Sequence, residues 1–202
     1  MPSVPSLSLT HGQVAWALCG GQKPDQRTLD VLRYLRQLGV PFTEEEQGIG
    51  QGNRLTYKFD HLIECAVALY AIRRGMKPRH AAPYLESNRK ELRKTYRRHF
   101  TNMADDALEA PWVKSHGKVK VVDSNEEFIR LHERYSDTSG KVEMMTMDEV
   151  VTFNANMADL AERYADVVYP LVPIRRVMTE AVAWARVAPV TRPGRPASKP
   201  DF

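Results

Sequence analysis

Two sets of side chains in this sequence have residue types and spacings that could bind a ligand: a run of cations that could bind a polyanion, and a His–Cys pair that could bind a metal. The larger set is a run of cations between residues 54 and 99, where 12 Lys and Arg stand against 4 Asp and Glu. Such a concentration attracts a polyanion, because neutralising phosphates releases condensed counterions. A solvated helix face laced with salt bridges accounts for the same pattern. Charge alone therefore leaves two readings open, nucleic-acid binding and an ordinary charged surface.

The smaller set is His61 and Cys65, four residues apart, a spacing that places two metal ligands on one helix face. Two ligands do not make a site, and no second pair lies nearby in the sequence. Asp60 and His61 fit the start of a helix better, and Cys65 fits a buried core position. We therefore expect no metal and no other cofactor.

Other candidates for catalysis are weaker. The glycines of 48–52 lack the lysine and the strand-turn-helix context of a phosphate-binding loop. The acids Glu126, Glu127 and Glu133 fit a solvated helix face better than a pair of catalytic carboxylates. The sequence thus gives no reason to expect an enzyme.

The composition is that of an ordinary globular protein, with 202 residues, 43% hydrophobic and 27% charged. It excludes collagen-like and disulfide-framework chains. No apolar run approaches the roughly 18 residues of a membrane helix, and residues 1–10 do not resemble a signal peptide. With only Cys19 and Cys65 present, we expect a reduced, cytoplasmic protein without a membrane partner.

Four helices and one strand are expected in the N-terminal half, bounded by capping and stop signals. Glycines 39 and 75 follow two of the helices as C-terminal stops. Alternating apolar residues indicate the strand. These elements are a helix at 11–18 capped by Thr10, a helix at 25–38, a strand at 54–59, a helix that Asp60 caps and Gly75 ends, and a helix at 78–100.

The C-terminal half is more acidic, and its elements are less regular. A capping box formed by Ser124 and Glu127 predicts a helix that continues to Tyr135. The other expected elements are a strand near Val119, a strand at 142–145, a helix at 148–169 and a helix at 174–187.

The expected fold class is mostly α (α+β), in four segments. Residues 1–9 form a flexible arm, 10–100 the first domain with its basic helix, 101–188 a helical or mixed C-terminal module, and 189–202 a disordered, basic, Pro-rich tail. The C-terminal module has two readings. It either forms a dimer and senses an effector, or it docks another protein.

The order helix, turn, helix, glycine-rich loop with a short strand, and two further helices is typical of a winged helix-turn-helix. The segment 32–40, Leu-Arg-Tyr-Leu-Arg-Gln-Leu-Gly-Val, resembles the second helix of the MerR-type DNA-binding domain. The segment 52–57, Gly-Asn-Arg-Leu-Thr-Tyr, resembles the wing of that family. The helices at 61–75 and 76–85 are similar to the pair behind the wing. The resemblance covers about residues 9–86.

The resemblance implies that the helix at 25–38 enters the major groove of double-stranded DNA. Arginine, glutamine and lysine are the residue types that read base edges or neutralise phosphates there. The family pattern implies backbone contacts for Arg33 and Tyr34. A surface arginine and a half-buried core tyrosine are the plainer readings of those two. The candidate DNA-binding residues are Arg27, Arg33, Tyr34, Arg36, Gln37, Arg54, Lys58, Arg73, Arg74, Lys77 and Arg79.

The sequence therefore predicts a nucleoid-associated, sequence-specific transcriptional regulator that acts as a homodimer and does no covalent chemistry. Two alternatives remain. The winged helix could be only the scaffold of a protein-interaction adaptor. The chain could also be an architectural factor of the excisionase type that bends DNA.

Overall fold

The computed structural model describes residues 4, 6–47, 55–101, 127–130, 133–135, 142–144, 150–152 and 171–189. Over these residues the fold is mostly helical, as the sequence predicted. The helices are α1 (His11–Leu18), α2 (Gln26–Gln37), α3 (Glu44–Gln47), α4 (Phe59–Arg73), α5 (Pro78–Thr101) and α6 (Ile174–Arg186). The strands are β1 (Glu127–Arg130), β2 (Glu133–Tyr135), β3 (Val142–Met144), β4 (Val150–Thr152) and β5 (Leu171–Pro173).

The first two helices begin and end where their capping residues predicted. At the start of α1, the Gln13 N–H donates to Thr10 Oγ1 at 3.3 Å, and the Thr10 N–H donates to Gln13 Oε1 at 2.9 Å. At the start of α2, the Thr28 N–H donates to Asp25 Oδ1 at 2.7 Å. Gly39 follows α2 with φ +85°, a conformation that glycine adopts without strain. Side-chain hydrogen bonds from residues next to the first turn therefore determine where both helices begin.

Helix α4 is the centre of the fold. Its residues from Phe59 to Leu69 are all buried, and it packs against both α5 and α6. A helix that is buried on every side lies inside a core instead of on its surface. It begins one residue before Asp60, the predicted cap, and Gly75 lies beyond its end with φ +104°. Helix α5 follows at Pro78 and keeps its predicted length.

The predicted strand at 54–59 is wrong in extent. Phe59 already belongs to α4, and the described part of the segment forms a single antiparallel bridge between Leu9 and Tyr57. The Tyr57 N–H donates to the Leu9 carbonyl at 2.8 Å, and the Leu9 N–H donates to the Tyr57 carbonyl at 3.0 Å. Leu9 is buried, so the part of the predicted flexible arm that contains it is fixed to the core. Arg54 of the predicted wing segment lies outside the described residues.

The C-terminal strands correct two predictions. Strand β1 is the centre of a three-stranded antiparallel sheet in the order β4-β1-β5, and β2 pairs with β3. The helix predicted up to Tyr135 is therefore wrong, because β1 and β2 occupy 127–130 and 133–135. The helix predicted at 148–169 is wrong at residues 150–152, which form β4. The rest of that predicted helix lies outside the described residues. Strand β3 agrees with the prediction for 142–145. The strand near Val119 and residues 190–202 of the tail are also outside the described residues.

Helix α6 joins the N-terminal helices in one hydrophobic core. Its buried side chains include Val177, Met178 and Ala181, and it packs against α1 and α4. Its bounds agree with the predicted helix at 174–187. The division into segments 10–100 and 101–188 stays a prediction, but the core is shared across it.

Candidate nucleic-acid interface

Helix α2 turns one face to solvent. The opposite face buries Thr28, Leu32 and Leu35, and the helix packs on α1, α4 and α5. Tyr34 is 43% exposed, although large aromatic side chains usually bury more of their surface. The exposed residues are Gln26, Arg27, Asp30, Arg33, Tyr34 and Gln37. At 1.5 Å per residue, the ten steps from Arg27 to Gln37 span about 15 Å, comparable with the roughly 12 Å width of the major groove.

One ion pair lies on this face. Arg33 Nη1 is 2.8 Å from Asp30 Oδ1, and more than half of each side chain is exposed. Exposed pairs of this kind contribute only about 0–1 kcal/mol. The pair therefore orients the Arg33 guanidinium without preventing it from exchanging Asp30 for a phosphate.

The C-terminal end of α2 lies close to α1 and to the segment before α4. Arg36 is half-buried, and the positive charges of Arg36 and Arg33 add to burial in lowering the pKa of His11. His11 Nδ1 lies 3.0 Å from the Tyr57 hydroxyl. Two of the predicted arginines thus gather where α1 begins.

The N-terminal end of α2 receives a cation from α4. Hydrogen bonds from Thr28 lower the pKa of Asp25, and the charges of Arg73 and Arg27 add to this effect. Arg73 Nη2 donates to the Leu18 carbonyl at 3.3 Å, so its side chain lies along the turn between α1 and α2. The structure therefore brings Arg73 to the same end of α2 as Arg27.

The other predicted cations that the structure describes are exposed but lie on neighbouring segments. Lys58 precedes α4, and Lys77 and Arg79 lie where α5 begins. The Arg74 guanidinium lies over the Tyr70 ring at 5.1 Å, and Arg79 Nε donates to His80 Nε2 at 3.1 Å. These contacts hold the long side chains at the surface without burying their charges.

The basic second half of α5 does not form a uniformly solvated face. Arg89 Nε donates to Glu64 Oε1 at 2.9 Å, and Arg93 Nη2 lies 3.4 Å from Glu64 Oε2. Arg97 Nε donates to Asp60 Oδ1 at 3.2 Å. Sequence reasoning missed this cluster. The sequence did contain a signal for it. Arginines recur every four residues at 89, 93 and 97 on one helix, and acids are four residues apart at 60 and 64 on the adjacent helix, so the two sets can face each other.

The same arginines hold the chain that follows α2. Arg89 Nη2 donates to the Gly39 carbonyl, and Arg93 Nη2 donates to the Pro41 carbonyl at 2.9 Å. Burial raises the pKa of Glu64 to about 7, against the opposing effect of the Arg89 and Arg93 guanidiniums. The buried cluster therefore fixes the C-terminal end of α2 relative to α4 and α5.

His61 belongs to an extension of this cluster. The Lys58 N–H donates to His61 Nδ1 at 3.2 Å, so Nε2 carries the proton and donates to Glu46 Oε1 at 3.1 Å. Burial lowers the pKa of His61 in spite of Glu46. Partial burial opposes ionisation of Glu46, but the N–H of Thr43 and the ring of His61 lower its pKa to about 2. Both ring nitrogens are thus engaged within the protein.

The comparisons with known proteins give no relative: no protein-family model, curated protein or solved structure matches this chain. The described residues hold no group of three or more His, Cys, Asp or Glu side chains placed to bind a metal ion. None of the described helices combines the length and apolar character needed to cross a membrane.

Proposed function

We propose that this chain is a sequence-specific double-stranded DNA-binding protein, a transcriptional regulator in which α2 is the recognition helix of a MerR-like winged helix-turn-helix. The observation that carries the proposal is the single exposed face of α2. It presents Arg27 and Gln37, which can read base edges, on either side of Tyr34. Arg33 and Tyr34 contact the DNA backbone in this proposal.

Two further features support α2 as the reading element. Its C-terminal end is held by the hydrogen bonds from Arg89 and Arg93 to the Gly39 and Pro41 carbonyls. Its N-terminal end lies beside Arg73, which can bind a phosphate next to the groove. A helix whose C-terminal end is held in this way can place its side chains against bases reproducibly.

The remaining cations supply contacts that do not depend on sequence. In this proposal Lys58 and Arg54 on the wing, and Arg74, Lys77 and Arg79 near the α4–α5 junction, neutralise phosphates. Because one recognition helix reads few bases, we also propose that the protein binds as a homodimer, on the nucleoid in the cytoplasm. A solution mass equal to the 23.0 kDa monomer at working concentration would contradict the dimer.

The test is selection of duplexes from a random pool by the purified chain, followed by affinity measurements at two salt concentrations. The proposal predicts an enriched motif that the protein binds at least about a thousandfold more tightly than random duplex. Weak binding that disappears at moderate salt would favour the protein-interaction adaptor. Tight binding with DNA bending but no enriched motif would favour the architectural factor.

A further inference from the structure

A cavity of about 500 Å³ lies beside the turn that joins α1 to α2. Its walls come from that turn, from the end of α4 and from α6. This volume is within the roughly 300–1,000 Å³ range of small-molecule sites. Of the residues that line the cavity, the DNA-binding proposal uses only Arg73.

The walls combine aromatic and cationic side chains. Tyr70 of α4 and Trp184 of α6 line the cavity and are half-buried. The apolar Leu69, which is buried, lines it as well. Arg73 and Lys23 line it as well, and both are exposed. Aromatic rings pack against planar apolar groups, and cationic side chains donate hydrogen bonds to carboxylates.

The two acids in the wall already have partners within the protein. Asp25 accepts the Thr28 N–H and caps α2, and Glu180 accepts from Arg176 Nε at 3.1 Å. Arg73 uses one donor on the Leu18 carbonyl, and a guanidinium carries five. Arg73 therefore keeps donors for a ligand, whereas Asp25 and Glu180 are each engaged within the protein.

We propose that this cavity binds a small aromatic carboxylate, with the ring against Tyr70 and Trp184 and the carboxylate on Arg73 and Lys23. The site also touches the turn before the recognition helix. A Cβ built on Gly21, which has φ +76°, would lie 2.3 Å from the Trp184 ring, so the indole packs directly on the turn backbone. Trp184 also contacts Trp16 of α1 edge-on, with 5.7 Å between ring centroids. A ligand that moves Trp184 therefore moves the start of α2, and this regulatory step rests on the proposed function.

Calorimetry with 3-phenylpropionate as the probe tests the site without DNA. Its uncharged amide, 3-phenylpropanamide, has the same shape and is the matched ligand. The site predicts saturable binding of the acid, with the amide weaker by about tenfold or more. Equal affinities for the acid and the amide, or no binding of the acid at millimolar concentration, would overturn the site.

Arg73→Gln is the variant that removes the carboxylate partner, and Lys90→Gln on the exposed face of α5 is its control. The first should weaken binding of the acid about tenfold while the second leaves it unchanged. Equal affinities for the two variants would also overturn the site. A thermal melt of each variant shows whether the fold is intact.

The regulatory step is tested separately, by measuring DNA affinity with and without saturating 3-phenylpropionate. A change in DNA affinity that persists in the Arg73→Gln chain at saturating probe supports the coupling, because a probe that only displaces a phosphate from Arg73 would have no effect there. An unchanged affinity together with confirmed probe binding would overturn the coupling alone. A chain that binds the probe but no DNA would leave the site standing and would contradict the proposed function.

Discussion

Arg89 of α5 and Glu64 of α4 form a buried ion pair, with Arg89 Nε 2.9 Å from Glu64 Oε1. The Glu64 side chain is 1% exposed and that of Arg89 is 10% exposed. The pair shows that part of the positive charge between residues 54 and 99 neutralises acids inside the fold. The exposed positive charge is therefore smaller than the sequence suggests. Among the described residues it lies on α2, at the ends of α4 and α5, and along α5 at residues such as Lys90 and Lys94.

Removal of the Glu64 charge should destabilise the protein strongly. At about pH 8.5, above the raised pKa of Glu64, Glu64→Gln leaves the Arg89 and Arg93 guanidiniums without their buried counterion, which costs about 3–5 kcal/mol in comparable pairs. Urea denaturation would measure the loss in the free energy of unfolding. The matched control is Glu91→Gln, because Glu91 forms an exposed pair with Lys94 on the same helix as Arg89. That change should cost less than about 1 kcal/mol. Similar losses for the two variants would contradict the buried cluster.

Gly21 should not tolerate a side chain. Gly21→Ala places a Cβ against the Trp184 ring at φ +76°, and the left-handed backbone alone costs about 1–3 kcal/mol for a residue other than glycine. Thermal unfolding would record a lower midpoint. Trp184→Leu in the same chain should recover the steric part of the loss and leave the backbone part.

Gly12→Ala is the control for that experiment. Gly12 lies in α1, and a Cβ built on it has no heavy atom within 4 Å. Alanine there should stabilise the helix by about 0.5–1 kcal/mol, because glycine is a poor helix former. A Gly21→Ala protein as stable as Gly12→Ala would show that Trp184 does not pack on the turn.

Acid should weaken the contribution of Glu46 to stability. Its pKa is lowered from the usual 4.5 to about 2, so its stabilisation is complete above the unfolded pKa and is lost as pH falls towards 2. Glu46→Gln should therefore be less stable than the natural chain near neutral pH, and the difference should narrow between about pH 5 and pH 3. Urea denaturation of both proteins across this pH range measures the difference in their free energies of unfolding. A difference that stayed constant with pH would contradict the hydrogen bonds that Glu46 accepts from Thr43 and His61.

The exposed Glu45, on the same short helix, offers the control for this measurement. Glu45→Gln should change the free energy of unfolding by less than about 1 kcal/mol at neutral pH, since its carboxylate is solvated. A loss as large as that of Glu46→Gln would indicate a general effect of charge on α3.

The helices were predictable because local signals define them. Thr10 and Asp25 cap α1 and α2 through their own side chains, and Gly39 and Gly75 follow α2 and α4 with positive φ. The strands were not predictable in the same way. Ser124 and Glu127 satisfy a local capping pattern, but β1 pairs with β5 more than forty residues later. Such a distant pairing overrides a short helical signal.

The candidate site was predicted in part. The helical spacing was sufficient to leave Arg27, Tyr34 and Gln37 outside the core face of the helix, and the structure exposes all three. The inward orientation of Arg89 and Arg93 was not predicted, because charge counts do not show which acids a helix will meet.

The most direct test of the account is the affinity of α2-face variants for the selected duplex. Arg27→Ala and Gln37→Ala should each weaken binding about five- to hundredfold, since one base contact provides about 1–3 kcal/mol of discrimination. Lys90→Ala, an exposed cation on α5, should leave the affinity almost unchanged. Equal affinities for all three variants would contradict the assignment of α2 as the recognition helix.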